Sequence, residues 1–220
     1  MGPARVRSSR TVPRKSAHTI GLVVEGPTEY SALPLLHKRG LVRGCPPLKP
    51  SSLNGVGEDR TAEAIAKLVL PKVVAHQIAG RSPVIVCFDR ERRSTPAADL
   101  STSIAAELTR LLTLRGRSSA TVVVVVADRA FEAWLLADAA GLARRRVFRG
   151  EPPFFCFEGE RGERDRMGVV ELSNLIGREY RKTRDGPKVF AAVDFAQARQ
   201  HGRGRRGSAS LDAFLNALGI

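Results

Sequence analysis

The sequence predicts an α/β fold: a mostly parallel sheet covered by helices on both faces, with a helical C-terminal extension. Three observations point there. The runs at 18–24, 83–88 and 121–127 are apolar throughout rather than alternating, as strands buried on both faces must be. They alternate with segments of helical spacing as far as residue 142. A hydrophobic content of 43% over 220 residues is enough to bury a substantial core.

Residues 1–16 are basic and polar and read as a flexible arm. They lack the apolar stretch of a secretory signal. A strand is expected over 18–24, stopping at Glu25. Gly26 and Pro27 turn the chain into a helix over 28–39, which Pro34 should kink or break. A short strand follows over 48–53, closed by the turn sequence Asn54-Gly-Val-Gly57. Ile65, Leu68, Val69 and Val73 share one face of a helix over 61–79, which Pro71 should kink. The strand over 83–88 ends at Asp89 and Glu91. Leu100, Ile104, Leu108, Leu111 and Leu112 mark an amphipathic helix over 97–115 that closes at Gly116. Its β-branched residues make 121–127 a buried strand. A helix over 131–142 carries Glu132, Trp134, Leu135 and Leu136. The next stretch is polar and turn-rich, with a short strand expected at 152–157. Helices are then expected over 169–181, 187–200 and 211–218. The division is a basic arm (1–16), an α/β core (17–142) and a loop and helical extension (143–220).

Composition narrows the function. The longest apolar run is far short of the roughly 18 residues of a membrane span. Cys45, Cys87 and Cys156 are scattered, odd in number and without zinc spacing, which fits a reducing cytoplasm. The net charge of +14 favours a polyanionic partner. A genome that prefers arginine would raise the same count, but clustering argues for a site. Arg144, Arg145, Arg146 and Arg149 form one patch, and Arg199, Arg203, Arg205 and Arg206 another. With only 5% aromatic residues, phosphate contact is expected rather than base stacking.

The acids carry the chemistry. Open α/β sheets bind ligands outside the carboxyl ends of their strands, and Glu25, Asp89 and Glu91 stand at two such ends. Adjacent parallel strands lie about 4.8 Å apart, so these carboxylates can share Mg²⁺ or Mn²⁺ if the two strands are neighbours. Paired ions of that kind hydrolyse phosphodiesters. The alternative treats the same acids as helix N-terminal charges or arginine partners. Glu132 begins a helix after a buried strand and is read both ways. Asp138 is expected to be solvated. Lys188 is weighed as a phosphate contact against an ordinary surface lysine, and Ser208 and Ser210 as caps of the last helix.

These motifs resemble the TOPRIM fold shared by type IA topoisomerases, bacterial primases, OLD-family nucleases and recombination mediators. In that fold the first strand ends in Glu followed by Gly, and the third in Asp-x-Asp. Val24-Glu-Gly-Pro-Thr-Glu29 looks like the OLD version, whereas Asp89-Arg-Glu91 departs by Glu at its second acid. Asp128-Arg-Ala-Phe-Glu-Ala-Trp-Leu-Leu-Ala-Asp138 resembles the Phe-Glu-x-Trp-Leu-Leu helix of RloB-like proteins of phage-defence loci, and Lys188 and 208–214 resemble that group's tail. The resemblance implies a TOPRIM-like core with Glu25, Asp89 and Glu91 on metal and Glu132 assisting. It also implies an effector nuclease working with an ATPase partner on DNA or tRNA, with a homodimer left open. The chain has no G-x-x-x-x-G-K-[ST] loop of its own. The competing reading is a catalytically inactive scaffold or nucleic-acid-binding subunit. A primase-like nucleotidyl transferase is weaker, since no zinc element accompanies the core.

Overall fold

The computed structural model describes residues 18–53, 56–151, 158, 167–201 and 207–220. The expected arm, the 152–157 strand and Cys156 lie outside the described residues.

Four strands form one all-parallel sheet: β1 (Ile20–Val24), β2 (Leu48–Ser52), β3 (Val84–Asp89) and β4 (Val122–Ala127), in the order β2-β1-β3-β4. The fold is α/β, with helices on both faces, consistent with a TOPRIM-like α/β core. From β1 the chain crosses to β2 on one side and then back over β1 to β3 on the other. The gap between the carboxyl ends of β1 and β3 is therefore the topological switch point of the sheet. Val24 is level with Cys87, so β3 runs two residues further than β1 and lifts Asp89 to the rim beside Glu25.

The period of two along each strand divides the core. Val23, Val84, Val86, Phe88, Val124 and Val126 pack against α3 (Ala62–Ile78) and α4 (Ala97–Thr113). Leu22, Val24, Ile85, Cys87, Val125 and Ala127 face the other layer. That layer holds α1 (Pro27–Ala32), α2 (Leu35–Lys38), α5 (Phe131–Leu136) and α6 (Ala139–Arg144). It is completed by α7 (Met167–Ile176), α8 (Lys182–Phe190), α9 (Phe195–Ala198) and α10 (Ala209–Ala217). Phe131, Trp134, Phe190, Phe195 and Phe214 form a chain of rings with centroids 5.0 to 5.7 Å apart. The C-terminal helices thus share a core with α5 and the sheet.

Four expected helices differ in outline. The 28–39 helix is two, separated at Leu33 and Pro34, as a proline without an N–H favours. The 131–142 helix is also two. At the break Asp138 is buried, not solvated: its carboxylate accepts from the Arg145 guanidinium and from Asp194 N–H. The 169–181 helix ends earlier, at Ile176, because Gly177 takes φ +71 as its terminating residue. The 187–200 helix begins five residues sooner, at Lys182, and stops at Phe190, after which Asp194 caps the separate α9 through Ala196 and Gln197 N–H. Ser208 caps α10 by accepting from Leu211 N–H. Ser210 instead accepts from Trp134 Nε1 at 2.7 Å and Asp128 N–H at 3.1 Å. Among the described residues no helix is long and apolar enough to cross a membrane.

Candidate active site

The mouth of the sheet is built from four segments. The first is the β1–α1 turn. Pro27 stands at the first position of α1 with φ preset for a helix. Gly26 precedes it, and a Cβ there would overlap the Glu29 carboxylate, which folds back over the turn. Glu25 is half-buried. Burial raises its carboxyl pKa and Glu91 adds repulsion, while Arg93, a hydrogen bond from the Asp89 backbone and Lys182 oppose the shift. Glu29, in the first turn of α1, is buried. Burial, with repulsion from Glu132 and Glu25, pushes its carboxyl group up to about 7.

The second segment is the exit of β3. Asp89 is in phase with Ile85 and Cys87 and so faces α1 and α5. Its Oδ1 accepts from Phe131 N–H at 2.9 Å, at the start of α5. Burial lifts its pKa well above the carboxylate range, and Glu29, Glu132 and Glu91 add to the rise against Lys182. Glu91 is exposed on the rim in the left-handed region at φ 54, its N–H held by Arg129 O at 2.7 Å. Its pKa is raised by burial of the carboxyl end, with Lys182 opposing. Arg93 fastens this exit to that of β2. Its guanidinium donates to the carbonyls of Asp89 and Arg90 at 3.0 Å, Gly57 at 2.8 Å and Val56 at 2.5 Å.

The third segment is α5, which brings Glu132, 2% exposed, to the same mouth. The fourth is the start of α8, where Lys182 Nζ lies 3.5 Å from Glu132 Oε1. Burial alone would lower the Lys182 pKa, but Glu132, Asp89, Glu91 and Glu29 together raise it, so the ammonium stays charged. Gly186, in the same helix, allows Thr28 of α1 and the Tyr180 hydroxyl to approach closely.

The structure therefore brings Glu25, Asp89, Glu91 and Glu132 to one mouth, where Lys182 acts on all four electrostatically. Among the described residues no three Asp, Glu, His or Cys side chains are grouped closely enough to hold a metal ion. As they stand, Asp89 is held by the α5 N–H and Glu132 by Lys182. The expected basic residues sit elsewhere. Lys188 is exposed further along α8. Arg144, Arg145 and Arg146 are exposed at the end of α6, with Arg145 bound to Asp138. Arg203, Arg205 and Arg206 lie outside the described residues.

Sequence reasoning missed Lys182 and left Glu29 out of the candidate site. Nothing local marks Lys182, whose position depends on α8 packing against α1.

No curated protein and no solved structure matches the chain. A domain of unknown function, DUF4276, matches residues 24–218, which include every segment of this mouth, and the chain belongs to that family.

Proposed function

We propose that the chain is a divalent-cation-dependent phosphodiesterase that cleaves nucleic acid. The observation that carries this reading is the meeting of Glu25, Asp89, Glu91 and Glu132 at the switch point of the sheet, with the carboxyl pKa values of the first three raised. Strongly perturbed acids in one cleft are a recurrent sign of a functional site. Acid charge in that density calls for a cation, and an all-oxygen donor set suits Mg²⁺ or Mn²⁺. Magnesium commonly takes one or two carboxylates and completes its shell with water, so a grouping of three ligands is not a requirement. Glu25, Asp89 and Glu91 are the residues that would hold it. When bound, such an ion supplies an acidified water and stabilises charge on the leaving oxygen.

The chain's own groups would do the rest. In the alternative to holding the ion, Glu25, half-buried with a raised pKa, is suited to accept the proton of the attacking water. The Lys182 ammonium is placed to stabilise negative charge developing on phosphate oxygens. Glu132 holds Lys182 in the mouth. The resemblance of 24–29 and 128–138 to OLD and RloB-like motifs extends the proposal to a cytoplasmic effector of bacterial phage defence that works with an ATPase partner.

A second reading, an inactive nucleic-acid-binding or scaffold subunit, is favoured by one observation: no three acids stand in ligating geometry among the described residues. Purified protein incubated with plasmid, single-stranded DNA and tRNA separates the two. The test uses Mg²⁺ or Mn²⁺, with and without any co-encoded ATPase. Cleavage that EDTA abolishes and that Asp89→Asn or Glu25→Gln lowers by about 100-fold or more supports the enzyme. Binding without cleavage under every condition supports the scaffold.

A further inference from the structure

The corner between α7 and α8 carries a row of cations beside the acidic mouth. Arg178, Arg181, Lys182 and Arg184 are each about half-exposed or more, and Arg149 packs beside Gly177 at the same corner. What separates this row from an ordinary solvated charge run is Asp185, only 2% exposed. It accepts from Arg178 Nη1 at 2.7 Å, Arg178 Nη2 at 2.9 Å, Arg184 Nε at 3.0 Å and Arg184 Nη2 at 3.2 Å. Arg181 N–H adds a bond at 2.9 Å. One carboxylate thus holds two guanidiniums side by side and leaves the pair with net positive charge. The Arg178 hydrogen bonds, against the opposing effect of burial, keep Asp185 well below the usual carboxylate range, so it remains ionised. Among the described residues nothing takes the Arg184 Nη1 donors.

We infer that this corner is the docking ridge for the phosphate backbone of a nucleic-acid strand, held next to the acids of the mouth. Arginines fixed in advance lose less side-chain freedom on meeting phosphate, and their forked donors match phosphate oxygens. Lys182 makes the ridge continuous with the mouth, since its ammonium reaches Glu132. A lipid surface fits less well, because attraction of basic residues to anionic headgroups gives only about 1 kcal/mol each unless apolar side chains also insert. The exposed large apolar residues Tyr30, Ile78, Leu114 and Val170 all lie outside 177–188. The inference deepens the nuclease reading by naming where its substrate lies, but the ridge can bind without cleavage.

The test is fluorescence anisotropy of the full chain with labelled single-stranded and duplex oligonucleotides in EDTA, over a salt series. Arg181→Gln/Arg184→Gln is compared with Lys67→Gln/Arg110→Gln, which makes the same charge change on α3 and α4. The ridge variant should bind about tenfold or more weakly, with the salt slope reduced by roughly 1.4 to 1.8 for two lost phosphate contacts. The control should bind as the wild type does. Arg181→Gln alone, at a side chain 62% exposed and paired among the described residues only with exposed Glu179, gives a smaller loss of the same kind without disturbing Asp185. Equal binding by ridge and control variants overturns the proposal. So does an absence of oligonucleotide binding, or a ridge-dependent affinity confined to anionic vesicles. Ridge-dependent binding with no cleavage in Mg²⁺ sinks the nuclease reading and leaves the ridge standing. Cleavage by a protein whose binding ignores Arg181 and Arg184 does the reverse.

Discussion

Asp89 Oδ1 accepts from the backbone N–H of Phe131 at 2.9 Å, joining the last residue of β3 to the first residue of α5. One hydrogen bond therefore sets the distance between a strand-end acid and the helix that delivers Glu132. It also gives a buried carboxylate a donor from a helix N-terminus, where negative charge is tolerated.

That bond does not offset the acid crowding, and this sets a pH dependence. Glu29 is raised to about 7, above its ordinary value near 4.5. The folded state therefore holds a proton that the unfolded chain gives up. Its contribution to stability is whole below about 4.5 and is lost as pH rises through about 7. Glu29→Gln should be more stable than wild type at pH 8, by up to about 3 kcal/mol, and melt level with it near pH 4. Differential scanning fluorimetry at the two pH values checks this. A variant no more stable at pH 8 would contradict the crowding.

Cation binding should reverse the same penalty. At pH 8, Mg²⁺ or Mn²⁺ in the millimolar range should raise the melting temperature of the wild type, and Asp89→Asn should lose most of that rise. The amide keeps an acceptor for Phe131 N–H, so the variant itself should fold. Equal shifts in both proteins would place any metal away from Asp89.

Lys182→Met removes an ammonium that four of the acids help to keep charged. Lys182 is half-exposed, so the stability loss should be modest, about 1 kcal/mol near pH 8. If the mouth is catalytic, activity should fall by about 100-fold, while Lys188→Met, at an exposed position further along α8, should change it little. Denaturant midpoints and initial rates read the two effects apart.

Near pH 4, where Glu29 is protonated and its burial carries no charge penalty, Gly26→Ala should cost about 1 kcal/mol, because the new methyl would overlap the Glu29 carboxyl group and force it from its buried place. The cost should vanish when Glu29 is first cut back to alanine. A double-mutant cycle on unfolding free energies measures this coupling, and additive losses would show that the turn itself resists the methyl.

His76 gives a readout far from the acids. Arg81 Nη1 lies 2.9 Å from its Nδ1, and a guanidinium only donates, so Nδ1 accepts and the ring proton sits on Nε2, 3.0 Å from Ser51 Oγ. Burial lowers the His76 pKa, and Arg81 and Lys72 lower it further. The unfolded chain then binds the proton more readily, so this residue's contribution is whole above about 6.5 and shrinks as pH falls below it. Nitrogen NMR shifts should show the Nε2–H tautomer persisting below pH 6.5, and a doubly protonated ring there would contradict the arrangement.

The strands and the acids at their ends were legible in the sequence. Runs such as Val84-Ile-Val-Cys-Phe are apolar on both faces, and Glu25 and Asp89 stop them abruptly. The break at Asp138 was not, since it rests on a hydrogen bond from Asp194 N–H, 56 residues away in sequence, whereas the Asp194 cap that starts α9 after Phe190 is a local signal that helical periodicity overrode. Local periodicity, a property of neighbouring residues, determined which segments are strands or helices and which residues terminate them. Tertiary structure alone decided that β1 lies against β3, that Glu29 is buried with Asp89, and that Lys182 travels from the far end of the chain to face them. Those contacts join residues far apart in sequence, where burial and charge at one position depend on groups that no local pattern encodes.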